Sequence, residues 1–271
     1  MTWQMVAALL VLGSATGFAA GLLGIGGGML LVPFLTMLFT TQQFPLEHVV
    51  HMAIATSLAT ILFTSMSSVR AHHRRGAVMW HVVKILAPGI VLGSLLGAQI
   101  AGRLPTAWIA LLFALFVGFS ATQMILDRKP QPHRELPRPA GMVGVGSAIG
   151  ALSSLVGAGG GFISVPFMVW CNVKMHNAVA TSAALGFPIA AAGTIGYIVA
   201  GLSVHEGLPA GSVGFIYLPA LLSVAAASVL TAPLGAQVAH ALNTRRLKRI
   251  FAVLLYLLAG YMLYRSYRAW S

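Results

Sequence analysis

Acidic side chains are almost missing from this sequence. Its 271 residues include 4 Asp and Glu against 16 Lys and Arg. None of the four acids pairs with another at helical spacing, so nothing supports a paired-carboxylate enzyme. Cysteine is scarcer still: a lone Cys171 excludes an intrachain disulfide and has nothing near it at metal-ligand spacing. Charged residues of both signs reach only 7% of the chain, too few to clothe a water-soluble globule. There is no H-E-x-x-H, and Gly24–Gly28 lacks the Gly-Lys-Ser/Thr ending of a phosphate-binding loop, so no enzyme, metal or cofactor signature stands out. The N-terminal stretch has no positive n-region and runs straight into a glycine cluster, which reads as a retained first span rather than a cleaved leader.

What the chain has in abundance is apolar sequence: 58% hydrophobic residues and a mean hydropathy of +0.88. This composition specifies an all-α polytopic membrane protein, because a lipid-exposed backbone must satisfy its polar groups within each segment. The net charge of +12 does not mark a nucleic-acid binder, since the basic residues fall between apolar runs with no polar surface around them; positive-inside topology accounts for it. Runs long enough to span the hydrocarbon lie near residues 50–70, 81–102, 106–126, 177–200, 213–240 and 247–264. Residues 3–39 and 141–171 are each too long for one span and short for two, and each has a glycine cluster in its middle.

Those two regions match. GLLGIGGGMLLVPFL (21–35) parallels SLVGAGGGFISVPFM (154–168), Ala55-Thr56-Ser57 parallels Ala180-Thr181-Ser182, and Gly97-Ala98-Gln99 parallels Gly235-Ala236-Gln237. Three matches in the same order indicate an internal duplication: a first transmembrane repeat over 1–126, a polar, proline-rich cytoplasmic linker over 127–140, and a second repeat over 141–271. Basic clusters at Arg70, Arg74 and Arg75, in the linker, and at Arg245, Arg246, Lys248 and Arg249 all belong on the cytoplasmic side. By repeat position, the loop at 201–209 corresponds to the basic loop after Arg70, yet it has no Lys or Arg and carries Glu206, so it belongs outside. Equivalent loops on opposite sides require an odd number of segments per half. The expectation is two inverted repeats of about five segments each: eight full spans plus two short half-helices after the glycine-rich breaks, with both termini outside. Eight full spans with parallel halves is the competing arrangement, and it would put the Arg245–Arg249 cluster outside. Against the inverted arrangement, Arg265 and Arg268 fall outside, where they must snorkel to an interface.

Adjacent glycines in a membrane segment have a specific use. Non-helical backbone in lipid is tolerated only where protein or a wet cavity surrounds it, glycine lets a ligand approach the main chain, and a helix that restarts there offers free N–H groups and the positive end of its dipole to an anion. Gly26, Gly27, Gly28 and Gly159, Gly160, Gly161 are therefore candidate binding residues, one set per half, facing one midplane site. The series Gly13, Gly17, Gly21 and Gly89, Gly93, Gly97 has helical spacing instead and reads as helix packing. Thr56, Ser57, Thr181 and Ser182 are candidate hydroxyl donors to the anion, the alternative being back-bonding to their own helices.

The paired glycine motifs with ATSLATILFTSMSSVRAHHRRG and the later GAQIAGRL and GAQVAHAL resemble the sulfite exporter TauE/SafE family of bacterial membrane transporters, over nearly the whole chain. The resemblance implies a multi-pass protein of the bacterial inner membrane that moves sulfite, a sulfonate or a related small sulfur oxyanion. Many relatives have arginine where this chain has Gln99 and Gln237, and glutamine donates a hydrogen bond without neutralising charge. Both glutamines join the candidate site, as does Arg70, which ends a span and can lean inwards. His51 is the candidate for coupling to protons, against the plainer reading of an interfacial histidine; Glu47 and His48 beside it make only weak metal spacing. The substrate is then a small anion, the other partner is lipid, and nothing in the sequence specifies an oligomeric state. A membrane scaffold or assembly subunit, with the glycines serving packing alone, and an anion channel are the rival functions.

Overall fold

A computed structural model of the chain describes residues 3–23, 27–126, 135–204, 207–238 and 244–270. Gly24, Gly26, Glu206 and linker residues 127–134 lie outside the described residues, as do the side chains of Gln237 and of Arg245, Arg246 and Lys248. The first half contains α1 (Trp3–Leu23), α2 (Gly28–Thr41), α3 (Val49–Arg74), α4 (Trp80–Arg103) and α5 (Thr106–Leu126). The second contains α6 (Pro139–Val156), α7 (Gly161–Trp170), α8 (Met175–Leu202), α9 (Leu218–Val238) and α10 (Thr244–Trp270), with a small hairpin of β1 (Ser212–Val213) and β2 (Ile216–Tyr217) before α9. Eight of these helices are long and apolar enough to cross a membrane, and α2 and α7 are the two short ones. The protein is an all-α, multi-pass membrane protein.

The hairpin shortens the span expected from residue 213. Gly211 (φ 89°) and Gly214 (φ 56°) hold left-handed backbone that a helix does not accept, so α9 starts only at Leu218. At the other end of α4, Pro105 forces Leu104 into extended backbone (ψ 141°) and ends the helix there.

The two halves trade partners. α1 packs on α9 while its repeat equivalent α6 packs on α4, α3 and α8 meet each other, and α5 meets α10. α3 and α8 are the most enclosed of the long helices. Small residues make the close contacts: Gly13 and Gly17 lie against Val224 and Ser228, and Gly89, Gly93 and Gly97 lie against Val143, Ser147 and Ala151. A Cβ on Gly17 would stand 2.5 Å from Ser228 Cα. These glycine series are packing seams, as their four-residue spacing predicts.

Loop contacts fix the relative direction of the halves. The loop after α2 shares one end of the bundle with the α4–α5 turn, where the Thr106 hydroxyl donates to Glu47 O, and with the hairpin, where His51 stacks on Phe215 at 5.1 Å. The equivalent loop after α7 lies at the opposite end, where Cys171, Asn172 and Val173 border one cavity with Met79 and Glu135. The halves are therefore inverted. The second end also carries Arg74, Arg75, Arg138 and Arg249, because α10 runs antiparallel to α5 (Ser266 Oγ donates to Ala107 O, and Thr122 meets Tyr256).

One pair of hydrogen bonds repeats across this inversion. Tyr217 N–H donates to Thr56 Oγ1 at 3.1 Å, and Met79 N–H donates to Thr181 Oγ1 at 3.0 Å. Each threonine thus holds the backbone that leads into the fourth helix of the opposite half, where helix starts leave N–H groups without intrahelical partners. Thr56→Val keeps the volume and strands the Tyr217 N–H in a buried place. It is expected to lower unfolding stability by about 1–3 kcal/mol and to speed amide exchange at Tyr217; an unchanged melting curve would show that the bond contributes nothing.

Candidate functional site

The second break is built from two left-handed glycines. α6 closes at Gly157 (φ 70°), with Ala158 N–H donating back to Ser153 O at 3.0 Å, the usual way of satisfying carbonyls at a helix end. Gly160 (φ 75°) then caps α7 and turns the chain back along α6, so that a Cβ there would lie 3.1 Å from Ser153 Oγ and 3.4 Å from Ile149 Cγ2. At the first break, Gly27 (φ 68°) likewise caps the short helix, α2, and sits against Thr16 O and Ala20 of α1. Each glycine region thus holds a long helix and a short one, α2 packing mainly on α3 and α7 on α8, which is why each was too long for one span.

The two breaks touch. Gly28 lies directly on the carbonyl of Gly157, and Ser57 Oγ, from α3, donates to that same oxygen at 3.1 Å. At the start of α2, Leu30 and Leu31 N–H donate to Gly27 O; at the start of α7, Ile163 and Ser164 N–H donate to Gly160 O. That leaves the N–H groups of Gly28 and Met29, and of Gly161 and Phe162, with no backbone partner among the described residues. Gly28, Met29 and Gly161 are buried. The start of α2 thus touches the second break in the protein interior, and both helix starts carry N–H groups without a backbone partner among the described residues.

The other candidates are distributed more widely. Ser164 Oγ donates to Gly160 O at 2.9 Å, so its 2.7 Å contact with Ser182 has the Ser182 hydroxyl as donor. Ser182, like Ser57, spends its proton beside the second break; Gly159 is buried there and its carbonyl faces Gly186 of α8. Thr56 and Thr181 lie towards opposite ends of the bundle, each accepting an N–H as described. Gln99 Nε2 donates to Gly196 O at 2.8 Å and ties α4 to α8. Arg70 is exposed on α3, one turn before the basic end. Gly26 and the side chain of Gln237 are not described.

His51 joins three elements. Its Nε2 lies 3.1 Å from Ala101 O and 3.0 Å from Leu104 O, and since carbonyls only accept, this nitrogen carries the proton. The ring thereby caps the C-terminal end of α4, while Nδ1 faces the Thr106 hydroxyl at 3.4 Å.

The two ends of the bundle differ at equivalent positions. After α2, Phe44 N–H donates to Phe39 O, and after α7, Val173 N–H donates to Met168 O, both at 3.0 Å; Gln43 (φ 58°) and Asn172 (φ 62°) make the same left-handed turn. At the first end, Phe39 stacks on Phe44 with centroids 4.9 Å apart, and Tyr217 meets both edge-on at 5.7 and 5.1 Å. At the basic end the corresponding residues are Met168, Val173 and Met79, and there a cavity of about 350 Å³ opens between Met79, Val173, Asn172, Lys174, Asn177 and Glu135. Sequence reasoning missed this difference, as it missed Ser164; Phe44 and Val173 follow the matched glycine motif at a shorter offset and become comparable only through their turns.

Comparison with known proteins places the chain among membrane transporters. A family model described as sulfite exporter TauE/SafE matches residues 9–262. A probable membrane transporter protein of Haemophilus influenzae is 37% identical over 92% of this chain and 95% of its own. The probable membrane transporter protein YdhB of Bacillus subtilis is 31% identical over 68% of this chain and 76% of its own. A probable membrane transporter protein of Xylella fastidiosa is 27% identical over 98% of both chains. No solved structure matches.

Proposed function

Because the chain belongs to the sulfite exporter TauE/SafE family of membrane transporters, we propose that it is a secondary transporter of a small sulfur oxyanion, sulfite or an organosulfonate. The anion binds to the free N–H groups at the starts of α2 and α7, framed by Gly26, Gly27, Gly28 and Gly159, Gly160, Gly161, and reaches each side in turn as the inverted halves rock. The basic end faces the cytoplasm of a bacterial inner membrane. The observation that carries this reading is the direct contact of the two breaks, Gly28 on Gly157 O, with donors on both sides of it that have no backbone partner among the described residues. Buried N–H groups without partners are costly, about 1–3 kcal/mol each, and a bound oxyanion supplies the missing acceptors. Thr56 and Thr181 each retain a hydroxyl proton for an anion passing their end of the bundle, Gln99 and Gln237 supply neutral amide donors, and Arg70 draws anions to the basic end. His51 is the site at which a proton would couple.

Flux in proteoliposomes containing the purified chain tests this. Sulfite uptake is expected to saturate and to be accelerated by sulfite on the far side. A scaffold gives no saturable movement, and a channel gives movement without acceleration by substrate across the membrane.

A further inference from the structure

The two breaks are not equivalent in what surrounds their free N–H groups. By the register of the glycine motifs, the residue four places before Gly24 is Ala20, and the residue four places before Gly157 is Ser153. Each faces the glycine that caps the following short helix: Ala20 Cβ lies 3.2 Å from a Cβ position on Gly27, and Ser153 Oγ lies 3.1 Å from one on Gly160. Ser153 is 1% exposed, and its hydroxyl has no hydrogen-bond partner among the described residues. That is unusual for a serine inside a helix, where the hydroxyl ordinarily bonds a carbonyl three or four residues back. Neighbouring serines do so: Ser147 donates to Val143 O and Ser154 to Ala151 O. The Ser153 oxygen lies instead at Gly160, the cap of α7, with Ile149 and Ile189, and the next two residues, Gly161 and Phe162, are those whose N–H groups have no backbone partner among the described residues. At the first break, the polar residue equivalent to Ile189 is Thr64, but its hydroxyl is bonded to carbonyls of its own helix.

We propose that the oxyanion seats on the second break, held by the Ser153 hydroxyl together with the Gly161 and Phe162 N–H groups, and that the first break, with Ala20 in place of the serine, is the weaker half of the site. This rests on the anion-transport reading above and adds to it the residue that breaks the symmetry. A hydroxyl donating to one oxygen and two amides donating to others match a tetrahedral or pyramidal oxyanion, and each donor to a charged acceptor contributes more than one to a neutral acceptor.

The test is thermal unfolding of the full chain in detergent, titrated with sulfite and separately with methanesulfonate, for wild type, Ser153→Ala, Ala20→Ser and the double variant. A ligand that binds only the folded protein raises the melting temperature with its concentration. Wild type is expected to show a saturable rise. Ser153→Ala is expected to weaken sulfite about tenfold or more, while its melting temperature without anion is equal to or above wild type, because the substitution removes a stranded hydroxyl. Ala20→Ser is expected to leave the Ser153→Ala defect largely uncorrected. If Ser153→Ala binds sulfite as wild type does, or lowers only the anion-free melting temperature, Ser153 is structural and the proposal is wrong, while the wild-type response keeps the transport reading intact. Full recovery in the double variant would show that the breaks are interchangeable and overturn the asymmetry. No response of wild type to either anion, together with no flux, overturns the transport reading itself.

Discussion

Gly160→Val is expected to abolish sulfite flux and to lower unfolding stability by about 3 kcal/mol. Two independent costs add. The position holds φ 75°, left-handed backbone that costs a residue with a Cβ about 1–2 kcal/mol, more for a β-branched one. The new Cβ would stand 2.5 Å from Ile189 Cδ1 and 3.1 Å from Ser153 Oγ, and overpacking of this kind costs about 1–3 kcal/mol. Relief by rotating the backbone would move the Gly161 and Phe162 N–H groups, which is why transport falls along with stability. Gly118→Val on α5 is the control, since nothing lies within 4 Å of a Cβ there. Measured together by detergent melting and proteoliposome uptake, equal behaviour of the two variants would falsify the assignment of Gly160 to a strained cap.

Phe39→Ala is expected to cost about 3–5 kcal/mol, more than Met168→Ala at the equivalent position of the other half. Phe39 is fully buried and makes two ring contacts, with Phe44 and Tyr217, each worth about 0.5–1.5 kcal/mol beyond its area. Tyr217 is also the residue whose N–H is held by Thr56, so losing Phe39 loosens the entry to α9. Met168 and the residues that correspond to Phe44 and Tyr217, Val173 and Met79, are not aromatic, and the cavity beside Met79 and Val173 lets the chain relax. Melting of the two variants side by side decides the matter; a Met168→Ala loss as large as that of Phe39→Ala would show that the aromatic trio adds no more than its volume.

The architecture was legible where its causes are local. Adjacent glycines before a proline, Gly26-Gly27-Gly28 with Pro33 and Gly159-Gly160-Gly161 with Pro166, announced broken helices, and the contrast between the basic loop after Arg70 and the loop at 201–209 announced the inversion. The hairpin at 212–217 escaped because GSVGFIYLP is apolar enough to continue a span; Gly211 and Gly214, punctuating it three residues apart, were the available warning. The partners of Thr56 and Thr181 escaped for a deeper reason. Their donors, Tyr217 and Met79, are 161 and 102 residues away, and such a bond leaves no spacing to read. Ser153 was visible as a mismatch with Ala20 in the repeat, yet only the fold shows that its neighbours Ser147 and Ser154 satisfy their own hydroxyls while it does not.

Each half lends its opening helix to the other: α1 lies on α9, and α6 lies on α4. The glycine seams that make these contacts close are therefore borrowed surfaces, shaped to a partner that the same stretch of chain does not contain. Half of this polypeptide is not a smaller version of the whole, and a lesion in either copy of the duplication is felt by both.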